Sequence, residues 1–366
     1  MFFDRNLVKL RGDEYMEKTL KDLITLCGPS GFEHDVVRYI VDRVKTWADD
    51  YWVDGIGNVI VEKRGKKPGS TLVVSAHMDE VGFIVKKIEE NGLIRFETLG
   101  GHDDRILLAQ KVKIRTESGI RYGVIGTISA HMKKFDDVTK IRIYTRLYID
   151  VGVSSKKEVE ELGIKVGDPI SWATDYTMFG KNRLIGKGLD DRAGCAVLLK
   201  AMEELDFNEV NGTVYGVFST QEEVGLRGAR VAAQQIHADV ALAIDTTAVS
   251  DTFEEMMDKT LFIGRGPAIK VMDNSLIASV AVRKKLIQVA ETQKIPYQLE
   301  IFTGIGTDAG ALHLGYNGIP SGVISIPSRY AHSPVEVIDL EDLNNSKELL
   351  KAFILSLNEK KEFSFI

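Results

Sequence analysis

Apolar residues recur at two spacings along this chain, and the switch between them divides it. From Glu17 to Leu26 they fall at Leu20, Leu23, Ile24 and Leu26, which predicts a helix. Gly28-Pro29-Ser30-Gly31 breaks that pattern, and Ser30 with Glu33 reads as a capping box for a second helix through Val44. Strands are expected at Tyr51–Val53 and Asn58–Glu62, a turn over Gly65 to Ser70, and a compact apolar strand over 71–76 that ends in His77-Met78-Asp79-Glu80. Between about 80 and 172 the texture is β-rich. Short runs at Val81–Lys86, Leu93–Thr98, Lys111–Arg115, Gly123–Ile128 and Leu147–Val151 are set off by Gly, Asn and Asp, as in a small barrel or sandwich. After Asp175 strands alternate with helices again: a helix over 192–205, strands at 214–218 and 240–244, and a helix around 228–235. A short strand at 269–271, helix 275–292, strand 297–301, helix 308–314, strand 322–326 and helix 340–357 complete the series.

This order predicts an α/β fold with a mostly parallel sheet covered by helices, interrupted by an inserted small β-barrel. Residues 1–78 and 173–366 would form the discontinuous α/β domain, and 79–172 the insertion. Residues 1–15 read as an extension ahead of the first helix.

Composition narrows the possible partners. A net charge of -6 without a basic domain argues against nucleic acid. No run approaches the ~18–20 apolar residues of a membrane span. The amino-terminal stretch carries an early acid and no apolar signal core, so export is not expected. Cys27 and Cys195 alone make no disulfide framework, which suits a reducing, cytoplasmic setting.

The chemistry gathers at predicted strand ends. His77 and Asp79 follow strand 71–76, and Glu222 and Glu223 follow strand 214–218. Asp245 ends strand 240–244, and His332 lies a few residues past strand 322–326. Asp190 sits in the glycine-containing loop Gly186-Lys187-Gly188-Leu189 that opens a helix, with Asp191 as a plausible cap. Taken alone, the Glu222-Glu223 pair would be a solvated surface dipeptide and His77 a structural histidine. Four strands each delivering a histidine or carboxylate to one sheet edge overturn that reading, because ligands of open α/β sheets bind there. Imidazole and carboxylate donors without thiolates suit zinc, cobalt or manganese. Their number exceeds the needs of one catalytic ion and fits a pair bridged by a carboxylate, with a further free carboxylate as general base. His34, His102, His131, His237 and His313 lack strand-end partners and read as surface or packing residues, although the loop around His102 could approach the site. Arg329 and Tyr330 are candidates for substrate contact.

The motifs His77-Met78-Asp79-Glu80-Val81-Gly82, Gly188-Leu189-Asp190-Asp191-Arg192, Gln221-Glu222-Glu223-Val224-Gly225, Ala243-Ile244-Asp245 and Arg329-Tyr330-Ala331-His332-Ser333 resemble those of the glutamyl or tetrahedral aminopeptidases. Some members of that family carry the names cellulase M or deblocking aminopeptidase. Gly306-Thr307-Asp308-Ala309 looks like another motif of the family, and the resemblance runs from about Leu20 to Leu357. It implies two divalent ions, zinc or cobalt, with His77 and Asp245 on one, Glu223 and His332 on the other, and Asp190 bridging. It also implies Glu222 as general base acting on a shared hydroxide, Asp79 orienting His77, and peptides as substrates. Dimerisation through the β insertion and a tetrahedral dodecamer are further implications. A related dinuclear carboxypeptidase or amidohydrolase and a glucan hydrolase stay open as alternatives. The β insertion ahead of Asp190 favours the aminopeptidase.

Overall fold

The computed structural model describes residues 16–137, 139–254, 258–358 and 362–365. The expectation for residues 1–15 lies outside them.

Among the described residues, eleven strands form the main sheet, and its middle is parallel. Asn211–Ser219, Lys67–His77, Val240–Ala248 and Ser321–Arg329 lie side by side in that order, all running the same way. Val59–Arg64 and Asp50–Val53 add antiparallel on one flank. Glu336–Asp339, Arg183–Gly186 and Thr177–Phe179 do so on the other. Ala268–Met272 pairs antiparallel with Ser321–Arg329 and parallel with Gln298–Ile301. The sheet is therefore mixed, with a parallel centre.

The central strands are buried on both faces, as their near-continuous apolar runs require. Alternation sorts their residues. Leu72, Val74, Leu242, Ile244 and Ile324 pack against helices 16–25, His34–Val44, Leu189–Glu204, Val280–Gln293 and Leu340–Leu355. Val73, Val217 and Ala241 face the shorter helices Arg227–Ala232 and Ala309–Leu312.

A closed six-stranded barrel occupies the β-rich stretch: Gly82–Ile88, Ile94–Leu99, Ile149–Asp150, Gly119–Ile125, Lys111–Thr116 and Pro169–Trp172. Phe83 is its central side chain, meeting Phe96 and Trp172 edge-on, each with ring centroids 5.0 Å away. The closing strand Pro169–Trp172 pairs with both Gly82–Ile88 and Lys111–Thr116. Sequence reading misses it because four residues led by proline carry almost no periodic signal.

Three expectations need correction. Lys67–His77 runs through the expected turn at 65–70, because Asn211–Ser219 pairs with it down to Lys67. Val240–Ala248 continues past Asp245, so that residue lies within its strand instead of at the end. The capping box fails too. Ser30 Oγ donates to the buried Asp79 carboxylate at 2.6 Å, and Glu33 accepts from Gly31 N and Gln221 N. A buried carboxylate needs donors more than a helix end near water does.

A buried ion cluster locks two loops together. The Glu80 carboxylate accepts from Lys187 Nζ at 2.6 and 2.8 Å and from Gly28 N, with Arg192 Nη2 3.8 Å away. All three side chains are at most 1% exposed. Lys187→Met would leave Glu80 with Gly28 N and no cation but the more distant arginine, so a loss of about 3 kcal/mol is expected in denaturant unfolding. Adding Glu80→Gln should recover part of that loss. A double variant no better than the single one would show that the cluster does not act as a unit.

Candidate metal centre

The four parallel strands end at one edge, and the candidate side chains meet there. His77 is the last residue of its strand and pairs in register with Ser219. Three residues beyond Ser219, the turn carries Glu222 and Glu223. Asp245 projects from the neighbouring strand, and His332 follows Ser321–Arg329. Gln221, Tyr330 and His332 take left-handed backbone conformations with φ of 55°, 60° and 61°, an unfavourable arrangement for side-chain-bearing residues that concentrates at functional turns.

Asp190 stands at the middle. Its Oδ1 lies 3.2 Å from His77 Nε2 and its Oδ2 lies 3.5 Å from His332 Nε2. His77 Nε2 is also 3.7 Å from Asp245 Oδ1, and His332 Nε2 is 3.2 Å from Glu223 Oε1. That Glu223 oxygen is buried, and the imidazole approaches it outside hydrogen-bond geometry. Donor atoms of His77, Asp190 and Glu223 lie within 4.8 Å of one another, and so do those of His77, Asp191 and Asp245.

Around these groups a ring of bonds fixes the backbone. Asp79, fully buried, accepts from Ser30 Oγ, from Glu222 N at 2.9 Å and from Glu223 N at 3.2 Å. Its backbone carbonyl accepts from His77 Nδ1 at 3.2 Å, and its carboxylate lies 3.5 Å from the same nitrogen. The Nδ1 proton thereby leaves Nε2 facing Asp190 and Asp245. Asp191 Oδ1 accepts from Gly194 N, the bond expected of a helix cap, while Oδ2 accepts from His77 N.

Sequence reasoning passed over Glu336. Buried four residues beyond His332, it accepts from Asp190 N and His332 N, both at 3.0 Å. One carboxylate thus ties down the backbones that carry the central aspartate and the second histidine. No motif announces it. Asp308 was noted without a role; it accepts from Ser75 Oγ and Ser219 Oγ, two hydroxyls inside apolar strands. Polar residues inside such strands must find partners, and that signal was available.

Of the substrate-contact candidates, Arg329 is engaged elsewhere. Its guanidinium forms a two-point pair with Asp251 at 2.8 and 2.9 Å. Tyr330 is exposed at the rim. His102 points into the barrel, donating to Gly82 O.

The electrostatics show what the site demands. Burial lowers an imidazole's basicity, yet Glu223 and Asp190 outweigh that at His332 and push it up to about 12. Burial would raise Asp190, but the two histidines hold it well below the usual carboxylate range. Elsewhere burial wins. It pushes Asp245 up to about 7 and Glu336 up to about 8, and it raises Glu222, Glu223 and Asp191. So many buried acids beside two imidazoles retain protons when no other cation is present. Oxygen and imidazole donors with a surplus of negative charge fit divalent ions. Cys195 Sγ points to His77 O and adds no thiolate.

Fold and site together define an α/β metallohydrolase. Residues 57–349 match the family model of the M42 glutamyl aminopeptidases. A putative aminopeptidase of Acetivibrio thermocellus is 40% identical over 338 residues, which span 92% of this chain and 98% of that protein. The aminopeptidase from the archaeon Desulfurococcus kamchatkensis superposes with a TM-score of 0.91 at 40% identity, covering 96% of this chain and 97% of the other. The Pyrococcus horikoshii TET1 peptidase, described as able to assemble into a tetrahedron or a large octahedral shell, does so with a TM-score of 0.85 at 35% identity, covering 93% and 100%. The chain therefore belongs to the M42 glutamyl aminopeptidase family and is an aminopeptidase.

The raised carboxyls set a pH dependence for the chelated protein. Burial, with Asp79 beside it, pushes Glu33 up to about 7, alongside Asp245 and Glu336. Folded-state values above unfolded ones mean the fold binds the extra protons, so their stabilisation is full below about pH 4 and is lost as pH rises. Between about pH 5 and 8, the thermal midpoint of chelated protein should fall, and cobalt or zinc should restore it most at the alkaline end. A midpoint that rises with pH in chelator would contradict this charge distribution.

Proposed function

We propose that two divalent ions, zinc or cobalt, occupy this centre, with His77 and Asp245 holding one, Glu223 and His332 the other, and Asp190 bridging. The observation that carries the reading is Asp190 itself, because each of its oxygens faces a different imidazole, at 3.2 and 3.5 Å. When bound, such ions polarise a carbonyl and lower the pKa of a water. Glu222 is the general base. It sits beside the ligand set on a turn fixed by Asp79, and burial raises its carboxyl well above the ordinary carboxylate range, which makes it a stronger proton acceptor. Glu222 takes the proton of the attacking water and passes it to the leaving amine, while Asp79 orients His77 and braces the 222–223 turn.

The substrates in this reading are peptides with a free amino terminus, and the residue removed is the first. A glucan hydrolase would need two carboxyls placed across a sugar and no ions, whereas these acids share imidazoles. The chain divides into an α/β domain over 1–78 and 173–366 and a β insertion over 79–172 that mediates dimerisation. Dimers combine into a tetrahedral dodecamer, a reading supported by the assemblies described for the Pyrococcus horikoshii relative. Cytoplasmic residence is supported by two free cysteines. Among the described residues, no helix is long and apolar enough to cross a membrane.

Glu222→Gln keeps the shape and every bond to the turn's backbone. It should bind both ions normally and lower kcat by a factor of about 10² to 10⁴. Near-normal hydrolysis of an aminoacyl anilide by this variant would remove Glu222 from the proposed role. Acetylating the substrate's amino terminus should abolish turnover, and cleavage of the blocked peptide from its other end would point to a carboxypeptidase.

A further inference from the structure

The loop that leaves strand Ile94–Leu99 belongs to the barrel, yet it reaches the metal centre. Leu99 pairs with Gly82, five residues after His77. At Gly100, with φ of 84°, a Cβ would lie 2.7 Å from Val81 Cγ1 and 3.3 Å from Glu223 Cβ. Only glycine allows the backbone to pass between barrel and Glu223 in this conformation. One residue on, the carbonyl of Gly101 accepts from His332 Nδ1 at 3.0 Å. A carbonyl cannot donate, so the proton sits on Nδ1 and Nε2 is left facing Glu223 and Asp190.

The next residue turns back into the barrel. His102 Nε2 donates to Gly82 O at 2.9 Å, and its ring stacks on Phe83 with centroids 4.4 Å apart and planes 19° from parallel. Trp172 meets the same ring edge-on at 5.8 Å. Both anchors in this region, a hydrogen bond and an aromatic stack, belong to His102, the residue next to the carbonyl that holds His332.

We infer that His102 is a positioning residue: rooted in the barrel, it fixes the Gly101 carbonyl and through it the tautomer and aim of His332. This rests on the proposed reading of His332 as a metal ligand. It makes the inserted barrel part of how the centre is built, since the orienting partner of one histidine comes from outside the α/β domain. The partner of the other, Asp79, lies two residues after its own histidine, at the junction with the insertion.

The experiment uses the full chain stripped by chelator and titrated with cobalt, read by calorimetry and by the visible absorption of the bound ion. His102→Ala should weaken one of the two cobalt sites about tenfold, the low end for an outer partner of a ligating histidine, and alter its visible spectrum. His102→Phe, which keeps the aromatic stack and loses the donor, should behave the same way if the alanine variant does not fold. His102→Gln retains a donor and should recover part of the affinity. Val159→Ala, in the barrel core on helix Lys156–Glu161, should lower the unfolding midpoint without moving either cobalt affinity. Wild-type affinity and spectrum in both His102→Ala and His102→Phe, while His332→Ala loses one ion, would overturn the inference alone. If His332→Ala also bound both ions normally, the ligand assignment itself would fail, and the inference with it.

Discussion

The Asp79 carboxylate is the bond on which the centre depends. Strands Lys67–His77 and Asn211–Ser219 lie parallel with His77 opposite Ser219, so both chains leave the sheet at the same level. Chains turning away at a parallel edge expose N–H groups that no ladder satisfies. Asp79 accepts two of them, from Glu222 and Glu223, and a third bond from Ser30. Through these bonds it sets the spacing between the turn that carries two acids and the strand that ends in His77. His77 beside it and these donors also hold the buried carboxylate below the usual range against its burial.

The same crowding makes the centre costly to the fold. Burial drives Glu222, Glu223 and Asp191 to hold protons, whereas Glu223 and Asp190 raise His332, and the two histidines lower Asp190, against burial. A protein selected for stability alone would not bury acids at this density. The supporting bonds limit the damage. Glu336 spans Asp190 and His332, Asp308 takes two serine hydroxyls, and Lys187 with Arg192 compensates Glu80 directly behind the site. Glu336, Lys187, Arg192 and Glu80 lie within a few residues of a proposed ligand, and Asp308 holds Ser75, two residues before His77, so the loops are braced where the charge is packed.

Much of this was legible in the sequence, for identifiable reasons. Apolar runs at 71–76, 214–218, 240–244 and 322–326 marked the parallel centre because strands buried on both faces carry few polar residues that would obscure them. Their ends located His77, Glu222 and Glu223 by topology alone, whereas Asp245 lies within a strand that runs on to Ala248. What escaped was non-local. Glu336 matters through two backbone N–H groups far apart in sequence, and no spacing encodes that. The Pro169–Trp172 strand is too short to announce itself. Ser30 looked like a cap, and only the fold reveals that Asp79 claims its hydroxyl. The division of roles within Glu222-Glu223 came from resemblance, since neighbouring acids on one turn are alike in composition.

Asp190 and Asp191 show how adjacent acids acquire different tasks. Asp191 turns inward, where the first turn of helix Leu189–Glu204 offers Gly194 N and the end of the neighbouring strand offers His77 N. Gly194 is needed there, because a Cβ would fall 2.3 Å from Asp191 Oδ2. With both its oxygens engaged by backbone donors, Asp191 fastens the helix to the strand. Asp190 makes no such bond through its side chain; its backbone N–H goes to Glu336, and its carboxylate is left to the two imidazoles. A helix cap and a carboxylate shared by two imidazoles can therefore occupy one dipeptide, provided a separate carboxylate holds the backbone of the residue that faces the centre. The two histidines are served likewise, one by the carbonyl of Asp79 and one by the carbonyl of Gly101. Backbone groups, which a side-chain substitution does not remove, thus orient both imidazoles, and side chains are reserved for the charge.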